Sequence, residues 1–432
     1  MVMMGLFLVL FVHAAVIPLT LRAVFGTPRE ETILGQVNLF YRRTQSADSW
    51  RPMEAARTYA AEWPGRDIYE EIFFRRKVKF QYAPTSLLYI GHFSRSTLNR
   101  LSWVAVWVTV ALTVMVFRDA LQHSSDPDFR PVAPSALFAA SLAAGCLGLT
   151  FYPLIKGYTL GQIQVWVDAL FAAVVWAWSR GWKATAGTAL GLACLIKPPL
   201  APVAVWVVAR REWRVAAGVI ATCAVGLAAS IATYGIASHL TYPRVLAFIA
   251  ARGEAYHPNQ SFNGLLNRWF RNGDSLIFQD YEFSPPHPFV SAGTTVAAIV
   301  LLALAFVLPA FCRRRDWRFD LPIIALTATM VSPIAWEHHY GIVLPLFAVL
   351  VPASLEVSAC GRWTAALLAV SFVLTAQFLA PVQYVAATAL NPLQSYLLFG
   401  ALLLLGVAYA GAIRERPECD GRQRERPAQA SR

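Results

Sequence analysis

The chain has 432 residues, 57% of them hydrophobic and only 14% charged. A soluble domain carries about a quarter of its residues as charges, so the composition excludes one and calls for a bilayer. The formal charge of +12 would suit nucleic acid, but the basic residues fall in short clusters between apolar runs, which is the habit of inward-facing membrane loops and argues against that partner.

The apolar runs are roughly 20 residues long, enough to cross about 30 Å of hydrocarbon as helix and too long for the alternating strands of a barrel. The first, 4–25, is too long for a signal peptide, lacks a basic n-region and is followed by no small-x-small cleavage site, so it reads as a retained span. Residues 26–99 form a long polar segment. Its aromatics, Trp50, Tyr59, Trp63, Tyr69, Phe73 and Phe74, stand against Arg75, Arg76 and Lys77, which predicts short helices in the headgroup interface. The apolar stretch 87–93 is too short to span and is expected to be interfacial or re-entrant.

Spans are then expected near 101–120, 134–154 and 163–179, with 155–162 as a turn. The run 184–209 is apolar between basic ends, and Lys197-Pro198-Pro199 interrupts it where proline removes amide donors, predicting a hairpin with Lys197 at its apex. Further spans follow at 215–237, 289–311, 321–336, 341–357, 363–381 and 393–413, with a second long polar segment at 238–288 and a disordered basic tail over 414–432. The result is an all-α polytopic membrane protein of about 12 transmembrane helices, with a single membrane domain over 1–413. With the hairpin, the basic residues at 180–183, 210–214, 313–318, Arg362 and the tail share one side, cytoplasmic by the positive-inside rule. Both long polar segments and the turns at 155–162, 337–340 and 382–392 then face outward, and chemistry is expected there. The cysteines Cys146, Cys194, Cys223, Cys312, Cys360 and Cys419 show no pairing pattern for zinc or disulfides.

On that outer side, a carboxylate near the end of a span is a candidate general base, because partial burial holds its pKa up. Asp48 is one, with Glu54, Asp67, Glu70 and Glu71 as competitors and a merely solvated charge as the plain alternative. Lys197 is costly in a membrane unless it faces a wet cavity or an anion, so it reads either as a phosphate contact or as a structural lysine. Gly161-Gln162-Ile163-Gln164 opens a span with amides that suit sugar hydroxyls or a helix cap. Ser332-Pro333-Ile334-Ala335-Trp336-Glu337-His338-His339-Tyr340 joins two spans; adjacent histidines are a poor chelating pair, and they suit a phosphate or sugar beside Trp336 better than a metal. Asn259-Gln260-Ser261 matches the glycosylation pattern, yet the local density of amides, with Arg268 behind it, reads better as the lining for a hydroxyl-rich ligand.

Together these motifs resemble glycosyltransferase family 87, formerly a domain of unknown function, whose best-understood members are polyprenol-phosphate-mannose-dependent mannosyltransferases. The resemblance runs from Asp48 with Ala55-Ala56 through 65–69, Phe80-Gln81-Tyr82-Ala83-Pro84, Gly161-Gln162, Lys197-Pro198-Pro199 and Asn259-Gln260-Ser261 to Ser332-Pro333 and His338-His339. Two departures are Gln164, where many relatives have asparagine, and Trp50-Arg51 in place of a tyrosine after the aspartate.

The resemblance implies a GT-C fold and an inverting hexosyltransferase, with mannose the foremost sugar, working from a polyprenyl-phosphate donor to a lipid or glycan acceptor at the outer face of a bacterial cytoplasmic membrane. It implies Asp48 as base, and His338 or His339 with Lys197 on the donor phosphate, helped by Arg268; Gln162, Asn259, Gln260 and Tyr82 complete the donor site. No metal or other cofactor is implied. A transporter or flippase of lipid-linked sugars, and a catalytically silent assembly protein, are the competing classes.

Overall fold

The computed structural model describes residues 2–91, 93–123, 132–311, 316–357 and 361–413. Among them all regular secondary structure is helical, apart from an isolated antiparallel bridge between Asn259 and Trp336. In chain order the helices are α1 (Val2–Phe11), α2 (Ile17–Phe25), α3 (Ile33–Tyr41), α4 (Trp50–Glu62), α5 (Leu87–Ile90), α6 (Arg95–Gln122), α7 (Pro134–Leu149), α8 (Tyr152–Leu160), α9 (Gln164–Ser179) and α10 (Lys183–Ile196). They continue with α11 (Ala201–Ala209), α12 (Trp213–Tyr234), α13 (Ile236–Arg252), α14 (Phe262–Trp269), α15 (Pro288–Phe311), α16 (Trp317–Met330), α17 (Val343–Val357), α18 (Gly361–Ala376) and α19 (Tyr396–Ile413).

Six helical stretches among the described residues are long and apolar enough to cross a bilayer, or up to seven if the bent pair α7 and α8 counts as one span. The chain is a multi-pass membrane protein. About 12 transmembrane helices were expected, two of them the shorter arms of a hairpin; α9, α10, α11 and α18 are apolar but shorter than the roughly 20 residues a full crossing needs. Three expectations need correction. The run 134–154 breaks after Leu149 and bends by 43°, so that 152–160 is helix α8 and not a turn. The run 321–336 stops as helix at Met330, because the Ser332-Pro333 step cannot continue it. The run 363–381 stops at Ala376 for the same reason, with Pro381 following. The Arg-rich tail, residues 313–315 and Cys312, Cys360 and Cys419 lie outside the described residues.

Of the aromatic residues in 26–99, Trp63 is exposed as an interfacial ring would be, whereas most of the others are packed inward. Trp50 and Tyr69 are fully buried, and Phe73 and Phe74 pack edge-on against Phe248 of α13 at 5.6 and 5.7 Å. Trp50 packs on Trp166 of α9; the partner of Tyr69, Phe73 and Phe74 is the second polar segment, which also contributes Ser238 Oγ to the Ile68 N–H at 3.0 Å and Glu254 to Lys79 at 3.1 Å. Composition marks both segments as amphipathic, and each uses the other to cover its apolar side. The stretch 87–93 starts as the short helix α5, tied to α10 by Tyr89 OH donating to Leu192 O at 2.8 Å.

Ion pairs gather one set of helix ends. Arg180 meets Asp119 at 3.2 Å, Lys183 meets Glu212 at 3.4 Å, Arg318 meets Glu356 at 2.8 Å, and Arg210 pairs with Asp320. The start of α10 and the residues just after α11 are therefore neighbours. Helices α10 and α12 run side by side in the same direction, close at small residues: a Cβ on Gly187 would meet Val215, and one on Gly218 would meet Ala184. The opposite ends of α8 to α10, α16 and α17 converge on a cavity.

Candidate active site

The cavity has a volume of about 1230 Å³ and opens between the two polar segments and the membrane helices. Asp48 is placed there by backbone bonding. The last carbonyls of α8 lack helical partners; Thr159 O, Leu160 O and Gly161 O accept instead from the N–H groups of Ser46, Asp48 and Ser49 at 2.8, 3.0 and 3.1 Å. This close approach requires Gly161, which has φ +71° and whose Cβ would lie 2.3 Å from Ser46 O. Gly161→Ala is therefore expected to displace 46–49 and to lower kcat at least tenfold, with a smaller change in KM; a steady-state comparison of the two checks it.

Gln162 Nε2 donates to Asp48 Oδ2 at 2.5 Å. The amide is itself oriented by the fully buried Ser49, whose hydroxyl donates to Gln162 Oε1 at 2.6 Å and also accepts from the Ile163 N–H at 3.0 Å. Tyr82 OH lies 2.6 Å from Ser49 Oγ and donates to Gln162 Oε1 at 3.2 Å. Asp48 is open to the cavity, yet its pKa is raised, chiefly by desolvation and also by the nearby Asp280 carboxylate, against opposing effects of Gln162, Lys197 and Arg51.

On the facing wall Lys197 ends α10, where Pro198 stops the helix, and its ring-ward neighbour Tyr82 is 5.8 Å away. Its ammonium donates to Gln164 Oε1 at 2.8 Å and to His339 Nε2 at 2.7 Å, which assigns the Nδ1–H tautomer to His339. His338 is buried against the cavity with neither ring nitrogen bonded to protein. Lys156, Arg51 and Lys79 add cationic side chains to the lining, and Ile196, Pro198, Pro199, Pro202, Leu246 and Ala328 give it an apolar flank.

Asn259, Gln260 and Arg268 belong elsewhere. None of the three lines the cavity. Asn259 is fully buried, donates to Glu254 O at 2.9 Å and accepts from the Ala335 N–H at 3.0 Å, which leaves no room for a glycan. Gln260 donates to Gln394 O at 2.8 Å and accepts from the Leu397 and Leu398 N–H groups, capping α19. Arg268 donates to Asn259 O at 2.9 Å and Ser395 Oγ at 2.7 Å, and its burial lowers its pKa to about 9.

These three residues clamp the turn that presents the histidines: Gln260 N–H donates to Ala335 O at 2.7 Å and Glu337 N–H to Pro258 O at 2.9 Å. Arg268→Met should thus cost about 1–3 kcal/mol of stability through carbonyls left unpaired, seen as a lower midpoint of thermal unfolding in detergent. At the roof, Lys79 and Glu254 form a buried pair across the two polar segments; burial raises the Glu254 pKa to about 7 and lowers that of Lys79.

Sequence reasoning overlooked Ser49, Lys156 and Asp168. The last two carried a legible signal, a charge within or beside an apolar run.

No curated protein matches the chain. Among solved structures it is similar to ArnT from Cupriavidus metallidurans bound to undecaprenyl phosphate, with 15% identity and a TM-score of 0.32, over 88% of this chain and 75% of that one. The family profile of glycosyltransferase family 87 matches residues 80–333, a range that holds Tyr82, Gln162 and Lys197 and stops short of His338. That match spans more than half of the sequence, and the chain belongs to glycosyltransferase family 87.

Proposed function

We propose that this glycosyltransferase moves a hexose, with mannose the first candidate, from a polyprenyl-phosphate donor to a lipid-linked or glycan acceptor. The observation that carries the proposal is the meeting in one cavity of an amide-oriented carboxylate, Asp48, with the ammonium groups of Lys197 and Lys156 and the neutral rings of His338 and His339. The acceptor hydroxyl oxygen attacks the anomeric carbon from the side of Asp48, which takes the hydroxyl proton. The bond from that carbon to the phosphate oxygen breaks on the opposite face, and the phosphate leaves with the bonding pair. Opposite-face attack inverts the configuration. Lys197 and His338 hold the growing negative charge.

The apolar flank of the cavity supports an isoprenoid chain next to the phosphate. Sidedness rests on the basic helix ends, which lie opposite the cavity. By the positive-inside rule they face the cytoplasm, so transfer takes place at the extracytoplasmic face of a bacterial cytoplasmic membrane. We read 184–209 as a hairpin turning at Lys197, supported by the Lys183 to Glu212 contact at its ends and the parallel course of α10 and α12. The twelve-helix GT-C domain over 1–413 is part of the same reading.

Purified protein in lipid nanodiscs, offered a panel of polyprenyl-phospho-sugars and membrane lipids, is expected to yield a hexosylated product with inverted anomeric configuration by mass spectrometry and NMR. Transfer from nucleotide sugars, with every polyprenyl-phospho-sugar inert, would overturn the donor assignment.

A further inference from the structure

Lys197 stands at the end of an apolar helix, where an ammonium is costly unless an anion compensates it. Its direct partners are neutral groups, the Gln164 amide and the His339 ring. The anions that act on it from further off are Asp168 in the interior and Asp48 across the cavity, beside the Lys156 and His338 of the same lining. Behind Gln164 stands Asp168, four residues on and therefore on the same face of α9. Gln164 Nε2 donates to Asp168 Oδ1 at 2.7 Å while its own Oε1 accepts from Lys197. A carboxylate on one side and an ammonium on the other leave the amide a single favourable orientation.

Asp168 is fully buried and does not line the cavity, so it touches no substrate. Its second oxygen has no hydrogen-bond partner, and Gly341 lies so near that a Cβ there would come within 2.1 Å of it. The turn carrying His338 and His339 therefore packs directly on this carboxyl group.

We propose that Asp168 is a positioning residue: through Gln164 it supplies the counter-charge that keeps Lys197 an ammonium and aims it at the donor phosphate. The part concerning the phosphate rests on the function proposed above; the charge pairing does not. Asp168, Gln164, Lys197 and His339 form one bonded row running from the protein interior to the cavity wall. Asp168→Asn retains size and the ability to accept from Gln164 but removes the charge.

The direct measurement is the rate at which acetic anhydride modifies Lys197 in intact nanodisc-embedded protein, quantified by peptide mass spectrometry at neutral pH. Only the uncharged amine reacts. Asp168→Asn is expected to raise the Lys197 rate at least fivefold over wild type, while surface lysines such as Lys77 keep theirs. An unchanged Lys197 rate in a folded Asp168→Asn protein overturns the proposal. If that variant does not fold, Gln164→Met, which removes the bridge and keeps the carboxyl group, carries the same expectation and the same overturning result.

Sugar transfer is read in parallel. Asp168→Asn should lower kcat at least tenfold, and adding it to Lys197→Ala should cause little further loss. Fully additive losses overturn an action through Lys197. A raised labelling rate with normal transfer by Lys197→Ala would uphold the charge pairing and refute the phosphate role of Lys197.

Discussion

Asp48→Asn is expected to fold, bind donor as wild type does, and lose about 10²- to 10⁴-fold in kcat, the usual worth of a positioned general base. Asparagine preserves the shape that Gln162 and the α8 carbonyls hold in place, so the loss isolates proton transfer from architecture. The wild-type pH profile provides an independent check. A base works only when ionised, and desolvation raises the Asp48 pKa, so activity should fall as pH drops through a value above the ordinary aspartate value of about 3.9. The acidic limb should disappear in the residual activity of Asp48→Asn. Single-turnover assays with a saturating polyprenyl-phospho-sugar measure both quantities, and an asparagine variant with wild-type kcat removes Asp48 as the base.

Lys197→Ala should lower kcat by about 10²- to 10³-fold, the range for losing one preorganised charge stabiliser. The donor phosphodiester carries one negative charge and the departing phosphate carries a second, so the ammonium interacts more strongly with the transition state than with the bound donor. The loss should consequently appear in kcat more than in KM. Lys197→Arg should restore only part of it. Its charge is retained, but a planar guanidinium cannot meet Gln164 and His339 as a point-like ammonium does. A raised KM with unchanged kcat would make Lys197 a binding residue alone.

Much of this arrangement was legible in the sequence because its carriers violate local composition. Lys197 breaks an apolar run beside two prolines, His338 and His339 sit between two apolar runs, and Asp48 and Gln162 belong to motifs whose order is distinctive. The structure gathers all five, with Tyr82, around one cavity.

Asn259, Gln260 and Arg268 went astray for a general reason. An amide or guanidinium that satisfies a buried carbonyl looks the same in sequence as one that meets a sugar, and only the fold reveals which carbonyls need a partner. The aromatics around Phe73 were misplaced because their cover, Phe248 and Phe283, comes from a distant segment. Asp168 went unremarked although an acid in a span is conspicuous, since its relation to Lys197 passes through a third side chain on another helix.

The joining of 46–49 to the end of α8, with Gln164 and Asp168 following at the start of α9, makes the stretch 159–168 a ruler for the reaction. On the proposed mechanism, the distance from Asp48 to Lys197 follows from this short run, which bonds to the segment of the one and to the side chain of the other. Substitutions in the outer segments that leave 159–168 alone are then expected to change acceptor preference before they change the rate of bond exchange.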